Sequence, residues 1–170
     1  MLRLVLMLAV LVGRPLLITS IRKGRKTAGL RNSHLKCVWS AIRAGITVLT
    51  PYGEPEVGTT DLLVLPCDRA SLVPVTTLHL DIAGSVTLMM QFYLPLMLVT
   101  PGTFSTSFRG GTEVGHAPLA FFWTRVLSRF LPYFAFNQER ASFGSKGVGV
   151  GEVIVRKADG ALNPFTIGAE

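Results

Sequence analysis

The chain has 170 residues, enough for one domain or two small ones. Hydrophobic residues make up 49% of it and charged residues 16%, which excludes a disordered chain and indicates a filled core. The net charge of +7 is uneven, because residues 1–53 carry nine Lys and Arg and no acidic residue. Such a segment favours a polyanionic partner, namely a nucleic acid, a nucleotide or a membrane surface.

The first apolar segment, Leu4–Val12, permits two interpretations. One is a helix that ends at Gly13, with Pro15 beyond it as a stop signal. The other is a secretory signal, although the run is too short to span a bilayer and no small-residue cleavage site follows. A helix that is apolar all round is also typical of burial against a sheet.

Strands and one amphipathic helix are predicted in the rest of the first half. The strands are Leu16–Ile21, Ile46–Leu49 and Asp61–Leu65. The helix begins at Asn32 or Ser33, which are good N-caps. Its apolar residues recur at helical spacing: Leu35, Val38, Trp39, Ile42 and Ile46. Cys37 falls within this pattern and is predicted to be a buried thiol, and with Cys67 it forms neither a metal motif nor a disulfide framework.

A basic stretch, Ile21–Leu35, joins the first strand to this helix. Its cationic and titratable residues are Arg22, Lys23, Arg25, Lys26, Arg31 and His34. Guanidinium groups and helix N-terminal amides can meet at one anion, so the stretch is a candidate anion site. A solvated basic loop is the alternative.

The second half begins with a predicted strand and repeats the same sequence of elements. The predicted strands are Val75–Leu80, Leu96–Thr100, Thr103–Phe108, Tyr133–Asn137 and Gly151–Lys157. One helix is predicted from Ala83 to about Tyr93, and another from His116-Ala117-Pro118 to Phe130. A second basic-glycine loop, Arg109-Gly110-Gly111-Thr112, precedes the latter helix.

The two halves therefore align, with Arg22 corresponding to Arg109 at an offset of 87 residues. Gly58-Thr-Thr-Asp-Leu-Leu-Val-Leu likewise resembles Gly149-Val-Gly-Glu-Val-Ile-Val at an offset of 91. A repeated unit of this kind predicts an α/β fold of two tandem βαβαββ-like modules, with sheets packed against helices. We place the modules at residues 1–70, where the first is incomplete, and 71–170, within one continuous domain.

An ordered set of short segments resembles the RNA 3′-terminal phosphate cyclases, which are built from repeated βαβαββ modules. The segments are Leu2-Arg3-Leu, Ile21-Arg-Lys-Gly-Arg, Gly29-Leu-Arg-Asn-Ser-His34, Val57-Gly-Thr-Thr, Ala83-Gly-Ser-Val, Met90-Gln91, Arg109-Gly-Gly-Thr112, Ala117-Pro118, Gly151-Glu-Val-Ile-Val-Arg156 and Leu162-Asn-Pro. They occur in the family's order over nearly the whole chain.

The resemblance implies a chemistry. The family's enzymes use ATP and a divalent metal such as Mg²⁺ to adenylylate a histidine, pass AMP to an RNA 3′-phosphate and form a 2′,3′-cyclic phosphate. The family's phosphate-binding arginines would be Arg3, Arg22 and Arg25, with His34 at the helix entry. Gln91 and Pro118 match positions that line the nucleotide site.

Several departures accompany this resemblance. Met1 stands where the family has a Glu-Gly-Gly-Gly-Gln loop, and the run Arg140–Gly151 lacks the family's proline and triple glycine. Glu113 and Phe121 replace an asparagine and an acidic residue. The adenylylated histidine is expected beyond Glu170, and neither His79 nor His116 takes its place. We therefore assign no catalytic and no metal-binding residue, and expect the chain alone to be inactive.

Three interpretations remain open. The chain is a part of an ATP-dependent RNA 3′-phosphate cyclase, a non-catalytic cyclase-like RNA-binding protein of ribosome assembly, or a vestigial fragment. The first is favoured over the second by Ala83-Gly-Ser-Val and Gln91. The expected partners are RNA 3′ ends and ATP, with ribosome-assembly factors in the second case and no membrane. The expected location is intracellular: nuclear or nucleolar in a eukaryote, otherwise cytoplasmic.

Overall fold

Four helices and seven strands make up the computed structural model over the residues it describes, which are 2–80, 84–115, 117–142 and 150–158. The helices are α1 (Leu2–Val12), α2 (Asn32–Arg43), α3 (Val86–Val99) and α4 (Ala120–Arg125). The strands are β1 (Leu16–Ile18), β2 (Thr47–Leu49), β3 (Leu62–Leu65), β4 (Thr77–His79), β5 (Phe104–Gly110), β6 (Phe134–Arg140) and β7 (Gly151–Lys157). Short 3-10 turns cover Arg69–Ser71 and Leu127–Arg129.

The predicted repeat is visible in the order of the strands. One sheet runs β1-β3-β2 and the other β4-β5-β7-β6. In both, the last strand of the half lies between the two earlier ones and is antiparallel to each. The second sheet adds β4, parallel to β5, at its edge. The structure confirms the α/β fold with two sheets packed against helices.

The two halves share a core in which α1 packs on α3. Leu6, Ala9 and Val10 of α1 are buried, so this segment forms the buried helix that its apolar composition permits. Helix α3 is apolar on all sides, and Phe92, Tyr93 and Met97 are fully buried. None of the helices in the described ranges has the length and apolar character that a membrane span requires.

The predicted strand Leu96–Thr100 is wrong, because α3 continues through this segment to Val99. The prediction stopped the helix before Pro95, which removes a backbone donor and normally breaks or kinks a helix. Here Pro95 lies inside α3, and Leu94 and Leu96 on either side of it are buried. Tertiary packing of a helix that is apolar all round thus outweighs the local cost of the proline.

The helix predicted to run to Phe130 is also shorter than expected. It ends at Arg125, and a 3-10 turn follows. Phe121, Phe122 and Phe130 are exposed, so they do not form the buried stripe that extends a helix. The first residue of the preceding predicted helix, Ala83, lies outside the described residues. So do His116, residues 143–149 of the glycine run, and Leu162-Asn-Pro.

Candidate anion-binding site

Backbone hydrogen bonds close the basic loop, residues 19–30, between β1 and α2. The amide of Gly29 donates to the carbonyl of Ile21 at 2.8 Å, which joins the two ends of the loop. Ile21 and Leu30 then donate to Thr60 and Thr59, both at 2.9 Å. The loop is therefore anchored to the chain that leads into β3, and the cations on it have a defined backbone position.

Gly29 makes this closure possible. Its φ of +76° lies in the left-handed region, and a Cβ there would stand 2.1 Å from the carbonyl oxygen of Gly58. The amide of Gly58 in turn donates to the carbonyl of Leu30 at 2.9 Å. This close contact gives a physical reason for the glycine in Gly29-Leu-Arg, and a φ of +96° gives one for Gly58 in Val57-Gly-Thr-Thr.

Arg22 lies on the inner side of the basic loop. It is partly buried and has a φ of +55°, which is unusual for a residue with a side chain. Its Nη1 donates to the carbonyl of Gly29 at 3.4 Å, across the loop. The other donors of the guanidinium remain available for an anion. Such strain commonly accompanies ligand-binding positions.

His34 occupies the first turn of α2, where its imidazole caps the helix. The amide of Arg31 donates to Nδ1 of His34 at 3.2 Å. Burial, with the nearby positive charges of Arg3 and Arg22, lowers the pKa of His34 below its usual 6.5. The imidazole is therefore neutral at pH 7, with its proton on Nε2, which can donate to a ligand.

Arg3 reaches the same place from α1. It lines a cavity of about 170 Å³ together with Ser33, Cys37 and Ser85. Burial raises the pKa of the Cys37 thiol to about 11, and the charge and hydrogen bond of Arg3 only partly oppose it. Cys37 is thus a buried, protonated thiol, as its place in the helical pattern predicts.

The structure brings Arg3, Arg22 and His34 together, and it leaves Arg25 on an exposed turn of the same loop. The turn is closed by a hydrogen bond from the Arg25 amide to the carbonyl of Arg22 at 3.0 Å. Arg31 also lowers the pKa of His34, although the resemblance does not place this residue of the basic stretch among the phosphate-binding residues. The position of Arg31 directly before α2 is the sequence feature that places it next to His34. We call Arg3, Arg22, Arg31 and His34 the cationic cluster.

No carboxylate neutralises this cluster within the described part of the chain, where the one ion pair joins Arg109 to Glu152. Asp61, directly before β3, accepts hydrogen bonds from the Thr60 hydroxyl at 2.5 Å and from the amide of Ser20 in the basic loop at 3.1 Å. These bonds lower the pKa of Asp61. Together with the N-terminal amides of α2, the cluster can bind a compact anion such as a phosphate.

Gln91 lies on α3, and Pro118 lies beside this helix. The hydroxyl of Thr87 donates to the carbonyl of Pro118 at 2.6 Å, and Gln91 follows Thr87 by one helical turn. Gln91 lines a mostly apolar cleft of about 470 Å³ with Leu4 and Met7. No described residue of that cleft is cationic, so it fits a planar base better than a phosphate chain.

The described residues offer no metal centre, since no three His, Cys, Asp or Glu side chains among them are grouped to hold an ion. His79 lies on the edge strand β4 and is exposed. His116 falls outside the described residues. The geometry supports anion binding at the cationic cluster.

Comparison with known proteins identifies the family of this chain. A model of the RNA 3′-terminal phosphate cyclase family matches residues 1–167. The RNA 3′-terminal phosphate cyclase of Sulfolobus acidocaldarius is 32% identical over 168 residues, which cover 98% of this chain and 48% of that protein. The one from Hyperthermus butylicus is 33% identical over 139 residues, or 81% of this chain and 37% of that protein. The chain thus spans less than half the length of these relatives.

Proposed function

The chain belongs to the RNA 3′-terminal phosphate cyclase family, and from this we propose that its cationic cluster binds the 3′-terminal phosphate of an RNA. One observation carries the proposal: the positive charges of Arg3, Arg22 and Arg31 act on His34 beside the start of α2, and no carboxylate among the described residues pairs with them. A terminal phosphate is a compact anion with oxygens free for guanidinium groups and backbone amides. Arg25, at the rim of the loop, adds a further contact.

The reaction we propose for the complete protein is the ATP-dependent conversion of this phosphate to a 2′,3′-cyclic phosphate. AMP is transferred to a phosphate oxygen, the 2′-hydroxyl attacks the phosphorus and AMP leaves. Charge gathers on the phosphate oxygens during this displacement, so preorganised guanidinium groups would stabilise it. In this mechanism the cluster holds the phosphate and disperses its charge, and neutral His34 donates a hydrogen bond from Nε2.

Gln91 and Pro118 are our proposed contacts for the base of ATP. The apolar cleft beside Gln91 and the exposed ring of Pro118 support this assignment. ATP supplies the adenylyl group when it is bound. None of the described residues that line this cleft is cationic, so the phosphates of ATP would have to be held by groups outside it.

We further propose that the 170-residue chain binds RNA without cyclising it. His34 is engaged as a helix cap, and His79 stands on a sheet edge, so neither is placed as the nucleophile of an adenylyl transfer. The repeat of strand order supports a division into two modules at residues 1–70 and 71–170.

A second candidate function is RNA binding without catalysis, as in ribosome assembly. The observation that favours it is the run of nine basic residues and no acidic residue in residues 1–53, which suits a general RNA surface. The two functions differ in what they recognise. A general RNA surface is indifferent to the 3′ end, whereas a cyclase site prefers a terminal phosphate.

Titration with uridine 3′-monophosphate and with uridine tests the proposal. We expect the chain to bind the phosphorylated compound only, and Arg22→Ala combined with Arg25→Ala to weaken that binding about tenfold, since each arginine contributes a charge-assisted contact. Arg129→Ala combined with Arg156→Ala, which removes two exposed cations elsewhere, should change it little. Equal binding of both compounds, or equal loss in both variants, would contradict the proposal.

Incubation of the chain with ATP, Mg²⁺ and a 3′-phosphorylated RNA tests the expected inactivity. The RNA should keep its 3′-phosphate, as judged by its sensitivity to phosphatase. Formation of a phosphatase-resistant cyclic end would show that the chain is catalytically complete.

A further inference from the structure

A continuous cleft leads away from the cationic cluster along α2. The cavity of about 170 Å³ that contains Arg3 shares Ser33 with a second cavity of about 420 Å³, next to Arg31. The second cavity shares Asn32 and Lys36 with a third of about 580 Å³, which extends to Arg43. The shared lining residues make these cavities neighbours along α2, and the third lies between α2 and Thr77 and His79 of the edge strand β4.

The cleft is basic along its length. Its described lining includes Arg31, Lys36 and Arg43 besides Arg3, and none of the described lining residues is acidic. Lys36 is exposed, and Arg43 is held by a hydrogen bond from its Nη1 to the carbonyl of Thr77 at 3.2 Å. Cations that recur along a path, rather than at a point, match a chain of phosphates.

An aromatic ring lies between these cations. Trp39 lines the third cavity, is partly exposed, and makes no ring–ring contact within the described residues. Asn32, Lys36, Trp39 and Arg43 follow one another at intervals of four, three and four residues, so they form one stripe on α2. The stripe is about 16 Å long at 1.5 Å per residue. Aromatic rings beside phosphate-binding cations are the usual platform for unpaired bases.

Resting on the function proposed above, we propose that this cleft binds the single-stranded RNA segment that precedes the terminal phosphate. Lys36 and Arg43 contact the backbone phosphates, and Trp39 stacks on a base. The terminal phosphate lies at the cationic cluster, and the strand runs from there toward Arg43. The edge strand β4 forms the opposite wall through Thr77 and His79.

Two ligands separate this cleft from the cluster. A ten-nucleotide oligouridylate with a 3′-phosphate occupies both, while uridine 3′-monophosphate reaches only the cluster. We expect Lys36→Ala combined with Arg43→Ala to weaken binding of the ten-nucleotide RNA and to reduce the salt slope of its affinity by about two units. Binding of uridine 3′-monophosphate should stay within twofold of the original protein. Arg129→Ala combined with Arg156→Ala is the control of equal charge.

Trp39 provides an independent readout. Trp39→Ala should weaken binding of the ten-nucleotide RNA about fivefold or more, and Trp39→Phe should restore most of it. The RNA should also quench the tryptophan fluorescence of the original protein. That quenching should be lost in Trp39→Phe, in which Trp123 is the one remaining tryptophan. The fluorescence measurement needs no destabilising substitution.

The outcomes are distinguishable. If the Lys36 and Arg43 variant binds the ten-nucleotide RNA like the original protein, while Arg22→Ala with Arg25→Ala still loses uridine 3′-monophosphate, the cleft proposal fails and the cluster stands. If the cluster variant keeps full affinity for uridine 3′-monophosphate, the proposed function fails. Equal affinity for a ten-residue polyglutamate would overturn the assignment to RNA, because the cleft would then bind acidic chains in general.

Discussion

Arg22 and Arg109 occupy corresponding places in the two halves of the molecule, after β1 and at the end of β5, yet they meet different neighbours. The Nε of Arg109 donates to the carboxylate of Glu152 at 3.0 Å, and that carboxylate also accepts from the hydroxyl of Ser107 at 2.5 Å. Arg22 has no such partner within the described chain and faces Arg3 and His34. Corresponding positions of the repeat thus carry an arginine neutralised by a carboxylate, Arg109, and an arginine of the cationic cluster, Arg22.

The two loops also differ in their backbone hydrogen bonds. In the second half, Gly111 donates to the carbonyl of Gly84 at 2.8 Å and accepts from the amide of Val86 at 2.9 Å. Arg109 and Gly110 belong to β5, because β7 pairs with them. The predicted loop 109–112 is therefore partly strand and tied to the start of α3. The basic loop of the first half is closed at its ends, and of its cations Arg22 is partly buried while Lys23, Arg25 and Lys26 are exposed. The two halves therefore share an order of strands but differ in the surroundings of their corresponding arginines.

The largest expected effect comes from removing the closure of the basic loop. Gly29→Ala places a Cβ against the carbonyl of Gly58 in a left-handed conformation, so we expect a loss of about 2 kcal/mol or more in the free energy of unfolding. Urea unfolding of the variant and of the original protein measures this loss in the free energy of unfolding. Gly24→Ala is the control, because a Cβ at Gly24 meets no atom within 4 Å. Equal unfolding midpoints for the two variants would show that the loop does not depend on the contact with Gly58.

A second prediction concerns the charge of the cluster. Arg3 and Arg22 help to depress the pKa of His34, so a bound phosphate, which offsets their charge, should raise that pKa. The pH titration of the imidazole signals by NMR, with and without uridine 3′-monophosphate, measures the shift. His34→Gln identifies the signal. Arg22→Ala should raise the pKa of His34 in the free protein, and a pKa insensitive to both changes would place the phosphate elsewhere.

The smallest effect is expected where the second half is made to resemble the first. Glu152→Gln releases Arg109, whose side chain is 51% exposed, so stability should change by less than about 1 kcal/mol. The salt slope of RNA binding should rise by at most about one unit. Glu139→Gln, which removes an acid on the neighbouring strand β6, is the control. If Glu152→Gln created a site as strong as the cationic cluster, the difference between the halves would lie in that one carboxylate.

Much of the fold follows from local pattern. The sequence predicts β7 at its observed bounds, since Gly151–Lys157 alternates and glycine precedes it. It predicts α2 from apolar residues at helical spacing after Asn32 and Ser33, which are good N-caps. The prediction fails at Pro95. Proline normally breaks or kinks a helix, but here the packing of the apolar helix α3 outweighs that local preference.

The site could be predicted in part. The cations of the basic stretch are visible in the sequence, and the family resemblance selects Arg3, which is distant along the chain. The pairing of Arg109 with Glu152 and the contact of Gly29 with Gly58 depend on strand register and loop closure, which local patterns do not reveal. The approach of Arg31 to His34 depends on the helix cap and was missed for that reason.

The most direct test is to map uridine 3′-monophosphate onto the backbone amides of the intact chain by NMR. We expect the largest shifts on the basic loop and the first turn of α2, from Arg22 to His34, and no shifts at residues 109–112. Shifts of similar size at Arg109 and Gly111, or shifts spread over all exposed cations, would contradict the claim that the cationic cluster recognises the terminal phosphate.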